Sequence, residues 1–217
     1  MKAKIEVNKI HCQRTSSEWF KDEIYYGIMV LSARIEDNEL VLTNSAASLA
    51  EVSELKKNVK KGNAWKPEVN SFEVEVPDDG LFTVMLALYE EDDGANYESM
   101  KNSFEEFTSP DKLDWSEVLQ GAIGSVVKKE KEENGLDIAD FAELVGVAVG
   151  STHILIAKTL FGAGKVIWKH LKQDDLLGVY EDAFDLNDDT HLLPREVEFR
   201  LMRSKYKMSF QVSKMEG

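Results

Sequence analysis

Residues 23–35, EIYYGIMVLSARI, run through aromatic and aliphatic side chains with no helix-capping residue in sight, and such a run predicts a β-strand. Working outward, Glu36-Asp37-Asn38 reads as a turn into ELVLT at 39–43, a further strand. Upstream, KIEVNKI at 4–10 alternates apolar Ile5 and Val7 with polar neighbours, the period of a half-buried strand. Downstream the period changes. Leu49, Val52, Leu55 and Val59 fall three or four apart, with Gly62 just beyond, and this spacing predicts a short amphipathic helix over 48–61 with a glycine cap. Its lysines, Lys56, Lys57, Lys60 and Lys61, suit the negative end of the helix dipole and read as a solvated face or a ligand patch. SFEVEV at 71–76 and LFTVMLALY at 81–89 flank Pro77-Asp78-Asp79-Gly80, which predicts a hairpin.

After the acidic run EEDDG at 90–94, nearly every signal over 95–172 is helical. Asp114 and Glu117 have capping-box spacing ahead of an apolar stripe from Val118 to Val127. Asn134-Gly135 reads as a helix stop, residues 138–149 as a second helix, and Gly146, Gly150, Gly162 and Gly164 as kinks or breaks from there to the end of the block. Strand character returns in 179–186 and 197–212, the latter long enough for one strand or two. Strands, a helical block and strands again predict an α+β chain: an antiparallel β-sandwich formed by 1–92 plus 173–217, interrupted at one end by an inserted helical subdomain over 95–172. Two separate α and β domains are the alternative.

The chain has 217 residues, with 40 Asp plus Glu against 26 Lys plus Arg, a net charge of -14. That field repels phosphate backbones, so no nucleic-acid partner is expected. The single cysteine, Cys12, excludes a disulfide framework and reads as a buried, inert thiol. Charges interrupt every apolar pair in MKAKIEVNKIHC at 1–12, so the expected location is the cytoplasm, or export without a cleaved signal peptide. LVGVAVGSTHILIA at 144–157 falls short of the ~20 residues a spanning helix needs.

Catalytic motifs are thin. FGAGKV at 161–166 lacks the first glycine and the Ser or Thr of a phosphate-binding loop. The histidines, His11, His153, His170 and His191, fall in different elements, and no nucleophile elbow is present. Hence no enzyme is expected. Asp185, Asn187, Asp189 and Glu196 have EF-hand-like spacing, but Thr190 stands where the turn glycine belongs and Pro194 intrudes, which favours an acidic interstrand loop.

Carboxylates cluster at three other places, Asp22-Glu23, Glu90 to Asp93 and Asp174-Asp175. The segments that hold them, KDEIYYGI at 21–28, LALYEEDD at 86–93 and DDLLG at 174–178, resemble the C2 domain, in which three such segments bring calcium ligands to one end of an eight-stranded sandwich. The resemblance implies calcium as a cofactor, with Asp22, Glu23, Glu90, Asp92 and Asp175 as its ligands. Ser16 and Ser17 stand where the family has its earliest first-loop aspartate, which weakens that ligand set. Convergent carboxylates repel one another, and a divalent cation relieves this.

Leu155, Phe161, Ile167 and Trp168, among glycines, suit either a buried helix or a contact surface. The function expected is a non-enzymatic module that docks on a protein partner or a phospholipid surface, with calcium as a possible aid. The alternative is a membrane-active toxin or effector whose glycine-rich helices insert.

Overall fold

The computed structural model describes residues 1–15, 22–36, 39–42, 49–77, 81–91, 96–107, 176–201 and 203–215. In chain order these form β1 (Lys2–Arg14), β2 (Asp22–Glu36), β3 (Glu39–Leu42), β4 (Leu49–Val52), β5 (Lys56–Val59), β6 (Ala64–Trp65), β7 (Ser71–Glu75), β8 (Leu81–Glu90), α1 (Asn96–Phe107), β9 (Leu176–Asp185), β10 (Arg195–Leu201) and β11 (Ser204–Lys214). A single turn of 3-10 helix, Asp189–Leu192, links β9 to β10.

The strands make two antiparallel sheets. In the first, the order is β10-β11-β1, with β6 and β7 side by side along the far edge of β1. In the second, β9-β8-β2 is completed by β3, β4 and β5, which pair in succession with β2. Side chains of both sheets share one core, including Ile5, Val7, Ile10, Ile28, Val84, Leu86, Phe184, Met208 and Phe210. Two sheets closed over one core are a β-sandwich, as expected.

Local sequence explains the strands. β11 buries Tyr206, Met208, Phe210 and Val212 in a period of two. β1 does the same with Ala3, Ile5 and Val7, then changes phase to Ile10 and Cys12 across a bulge between Val7 and Lys9. One extra residue at a bulge carries the following side chains to the other parity. β2 and β8 show no alternation because both of their faces are buried. Ile24, Tyr26, Ile28 and Val30 face the shared core, whereas Tyr25, Met29 and Leu31 are as deeply buried on the opposite face, beside Met85, Ala87 and Tyr89 of β8.

Part of that outer face lies under α1. Met100 and Phe104 are buried, Tyr25 stacks on Tyr89 with ring centroids 5.0 Å apart, and Tyr97 meets Tyr25 edge-on at 5.1 Å. Such pairs contribute about 0.5–1.5 kcal/mol each beyond their area burial. α1 thus packs on the outer face of the second sheet.

Two local expectations need correction. The helix read over 48–61 is the pair of short strands β4 and β5, joined by an irregular link through Ser53. Apolar spacings of three and four arise because each strand contributes one or two inward residues, and pairing to β2 overrides the helical period. The hairpin read over 71–89 is instead a crossover between sheets, since β7 pairs with β1 and β8 with β2 and β9. The 197–212 stretch resolves into the hairpin β10-β11. Asp92, Asp175 and the apolar residues Leu155, Phe161, Ile167 and Trp168 lie outside the described residues, as do 108–175 as a whole.

Candidate functional site at the lysine-rich end

β5 runs along the start of β2, with Asp22 opposite Val59 and Ile24 opposite Lys56. The chain then turns through Lys60, Lys61, Gly62 and Asn63 and crosses to the first sheet as β6. Two positions of this segment have left-handed backbone, Asn58 with φ 60° and Gly62 with φ 87°, residue types that tolerate it. Within the turn, the Asn63 amide donates to the Lys60 carbonyl at 2.9 Å, and the Lys60 amide donates to Asn63 Oδ1 at 2.8 Å. The turn is also tied to the opposite sheet. Gly62 N donates to the Cys12 carbonyl at 2.8 Å and Cys12 N to the Asn63 carbonyl at 2.9 Å.

This anchoring presents charge. Lys56, Lys57, Lys60 and Lys61 are all exposed, a basic patch on a chain of net charge -14. Lys57 reaches Glu23 at 3.7 Å with both side chains substantially exposed, a pairing worth little in water.

Behind the turn is a buried polar cluster. Tyr206, fully buried, donates its phenolic hydrogen to the Asp22 carboxylate, itself 1% exposed, linking β11 of one sheet to β2 of the other. Burial, followed by the hydrogen bond to Asp22, holds the Tyr206 hydroxyl far above the ordinary phenol range. The neighbouring Cys12 thiol is pushed up by burial; its hydrogen bond with Tyr206 pulls the other way, and the charges of Asp22 and Glu90 add to the rise. Cys12 is thus a buried thiol, as expected.

The residues read as calcium ligands separate accordingly. Asp22 and the half-buried Glu90 are close enough to act on the same thiol, whereas Glu23, the next residue along β2, is directed to Lys57. Calcium requires six to eight oxygen ligands, and Asp22 is already engaged by Tyr206. Among the described residues no three His, Cys, Asp or Glu side chains are placed to hold a metal ion. Asp92 and Asp175, the other two residues read as ligands, lie outside the described residues.

Glu91, which its sequence context does not single out from its acidic neighbours, has a defined role. It is 3% exposed and its Oε2 accepts from the Tyr97 amide at 2.6 Å, satisfying a free donor at the start of α1. Its own amide donates to the Glu23 carbonyl at 2.8 Å.

The EF-hand-like loop is spent on its own turn. Asp185 Oδ1 accepts from the Asn187 amide at 2.8 Å, Asp188 Oδ1 from Thr190 at 2.9 Å, and His191 Nδ1 from the Asp185 amide at 2.9 Å. Glu196 pairs instead with Lys207. The sequence signal for the lysine turn was Gly62-Asn63, a turn dipeptide that also suited a helix end.

No protein-family model matches the chain, and no curated protein matches it. Among solved structures it is similar to a C2 domain of plant Extended Synaptotagmin 1, at 8% identity over 100% of this chain and 96% of that one, with a TM-score of 0.41. It is also similar to part of human GIVD cytosolic phospholipase A2 in complex with methyl gamma-linolenyl fluorophosphonate, at 7% identity over 99% of this chain and 17% of that one, with a TM-score of 0.35. Scores and identities this low leave the sandwich resting on its own strand pairing and shared core. Among the described residues no helix is long and apolar enough to cross a membrane.

Proposed function

We propose that the chain is a non-enzymatic, C2-like docking module that meets an anionic phospholipid surface with its lysine turn. The carrying observation is a set of four exposed lysines, Lys56 and Lys57 on β5 and Lys60 and Lys61 on the turn that is hydrogen-bonded to Cys12 of the opposite sheet. A patch held in this way loses little conformational freedom of its backbone on docking. The net charge of -14 opposes approach at long range, but at physiological salt the Debye length is about 8 Å. At contact the local lysines therefore dominate. Each contributes about 1 kcal/mol at an anionic membrane, so four give a millimolar-order affinity, that of a weak, reversible contact. Calcium is not needed for this reading, in which the lysines make the contact.

Cosedimentation with vesicles of phosphatidylserine and phosphatidylcholine tests this. Binding should need the anionic lipid, weaken with added salt, persist in EDTA and fall to background in Lys60→Glu/Lys61→Glu. Equal binding to pure phosphatidylcholine, or no effect of the charge reversal, sinks the proposal. A requirement for calcium would restore the carboxylates as a metal site.

A further inference from the structure

The β10-β11 hairpin ends beside the lysine turn. Strand order in the first sheet is β10-β11-β1-β6, and β1 is held from both sides at one place. Cys12 lies opposite Tyr206 of β11, and its backbone bonds Gly62 and Asn63 of the turn. Strand spacings of about 4.8 Å put β10 roughly 15 Å from the turn along this end.

Elsewhere on this sheet, charges that meet across strands are complementary: Lys2 is opposite Glu75, Lys4 opposite Glu73 and Glu198 opposite Lys207. The row at the hairpin end breaks that rule. Lys205 is opposite Arg200 of β10 on one side and Arg14 of β1 on the other, and like charges directly opposite each other are destabilising. Glu198 alone answers them, with Oε1 accepting from Arg200 and Oε2 reaching Lys205 at 2.9 Å. Arg14 is exposed, and among the described residues no carboxylate pairs with it. One position beyond Arg200, Leu201 is 41% exposed. Its backbone is fixed, because it pairs with Ser204, whose hydroxyl donates to the Leu201 carbonyl at 2.8 Å. A row of cations left short of acids, beside an anchored apolar side chain, breaks the local pattern in the way functional sites do. It suits an anion at the row and an apolar medium just past it, the order of layers at an anionic bilayer surface.

We propose that the β10-β11 end is a second contact of the same docking surface, with Arg200, Lys205 and Arg14 against lipid phosphate groups and Leu201 entering the bilayer interface. This rests on the reading of the lysine turn as a lipid contact, and it adds which further strands meet the lipid and which side chain enters it.

The test uses the full chain and vesicles of phosphatidylserine and phosphatidylcholine. Arg14→Gln removes one cation and should weaken binding about fivefold. Leu201→Ser removes the apolar anchor and should weaken it about fivefold as well. Both change exposed side chains, and melting curves establish that each variant is folded. A dye sensitive to its surroundings, attached at Leu201→Cys, reads insertion directly, since Cys12 is buried. Its emission should shift to the blue on anionic vesicles and stay unchanged on pure phosphatidylcholine. If Lys60→Glu/Lys61→Glu abolishes binding but Arg14→Gln or Leu201→Ser binds like the native chain, or if the dye does not shift, this inference fails and the lysine turn stands. If the native chain binds no vesicles, both fall. Displacement from vesicles by inorganic phosphate at constant ionic strength would mark the row as a site for free anions and overturn the proposal.

Discussion

The ring of Phe104 occupies the space that a side chain at position 27 would need. A Cβ built on Gly27 would lie 2.4 Å from Phe104 Cζ and 2.8 Å from Cε1, and the ring is 1% exposed, with no water to retreat into. Gly27 thus lets α1 lie close on the second sheet. Gly27→Ala should destabilise the fold by about 1–3 kcal/mol, the usual penalty of overpacking. Combining it with Phe104→Leu should recover part of that loss in urea unfolding. If Gly27→Ala is neutral, α1 does not pack against β2 as described.

Tyr206 and Asp22 give a second test. The phenol of β11 reaches the carboxylate at the start of β2, joining the sheets at the end where the lysine turn also joins them. Tyr206→Phe leaves the carboxylate buried without that donor and should cost about 1–3 kcal/mol. Asp22→Asn keeps an oxygen acceptor and should cost less. If calcium were the true partner of Asp22, the reverse order would hold at millimolar calcium, with Asp22→Asn the more damaging in a thermal melt.

How legible each element is in the sequence depends on how it is stabilised. β1, β7 and β11 bury one face each, so their period of two stands in the sequence. β2 and β8 read as strands from composition alone, yet nothing in EIYYGIMVLSARI tells that a helix covers its second face. At 48–61, where helical periodicity misleads, the apolar residues belong to two short strands whose identity is set by β2, a distant stretch. For the site, Asp22, Glu23 and Glu90 are recognisable as acids near one end, but only tertiary structure shows Asp22 turned inward to Tyr206, 184 positions away. Their spacing carries no sign of that partner. The lysines are visible and their exposure expected; their placement on β5 and on a turn stapled to Cys12 is not.

Thr83 lies on the outer face of the second sheet, fully buried, and its Oγ1 has no hydrogen-bond partner among the described residues. A buried hydroxyl left unpaired is destabilising, while an apolar isostere carries no such penalty. Thr83→Val should therefore raise stability by about 1 kcal/mol, read as an upward shift of the denaturation midpoint at constant slope. A loss of stability would mean that the hydroxyl has a bound partner, such as an ordered water.

The last test is alkaline pH. Tyr26, whose hydroxyl donates to the Val69 carbonyl at 2.7 Å, is held well above the ordinary phenol value of 10.0 by burial, as is Tyr206; burial likewise raises Cys12 above its ordinary 9.0. In each case the folded chain keeps a proton that the unfolded chain releases. The stabilisation is thus complete below the unfolded values and is lost as pH rises toward the folded ones. The melting temperature should be level around neutrality and fall from about pH 9 upward, first through the thiol and then through the phenols. Cys12→Ala removes the earliest contribution and should move the onset toward about pH 10, whatever it costs in packing. In parallel, the native thiol should react with a disulfide reagent far more slowly than the urea-unfolded chain at the same pH, because attack requires an exposed thiolate. Reaction at the unfolded rate in the native protein would show that Cys12 is open to solvent and that the contact between β1 and the lysine turn is not closed.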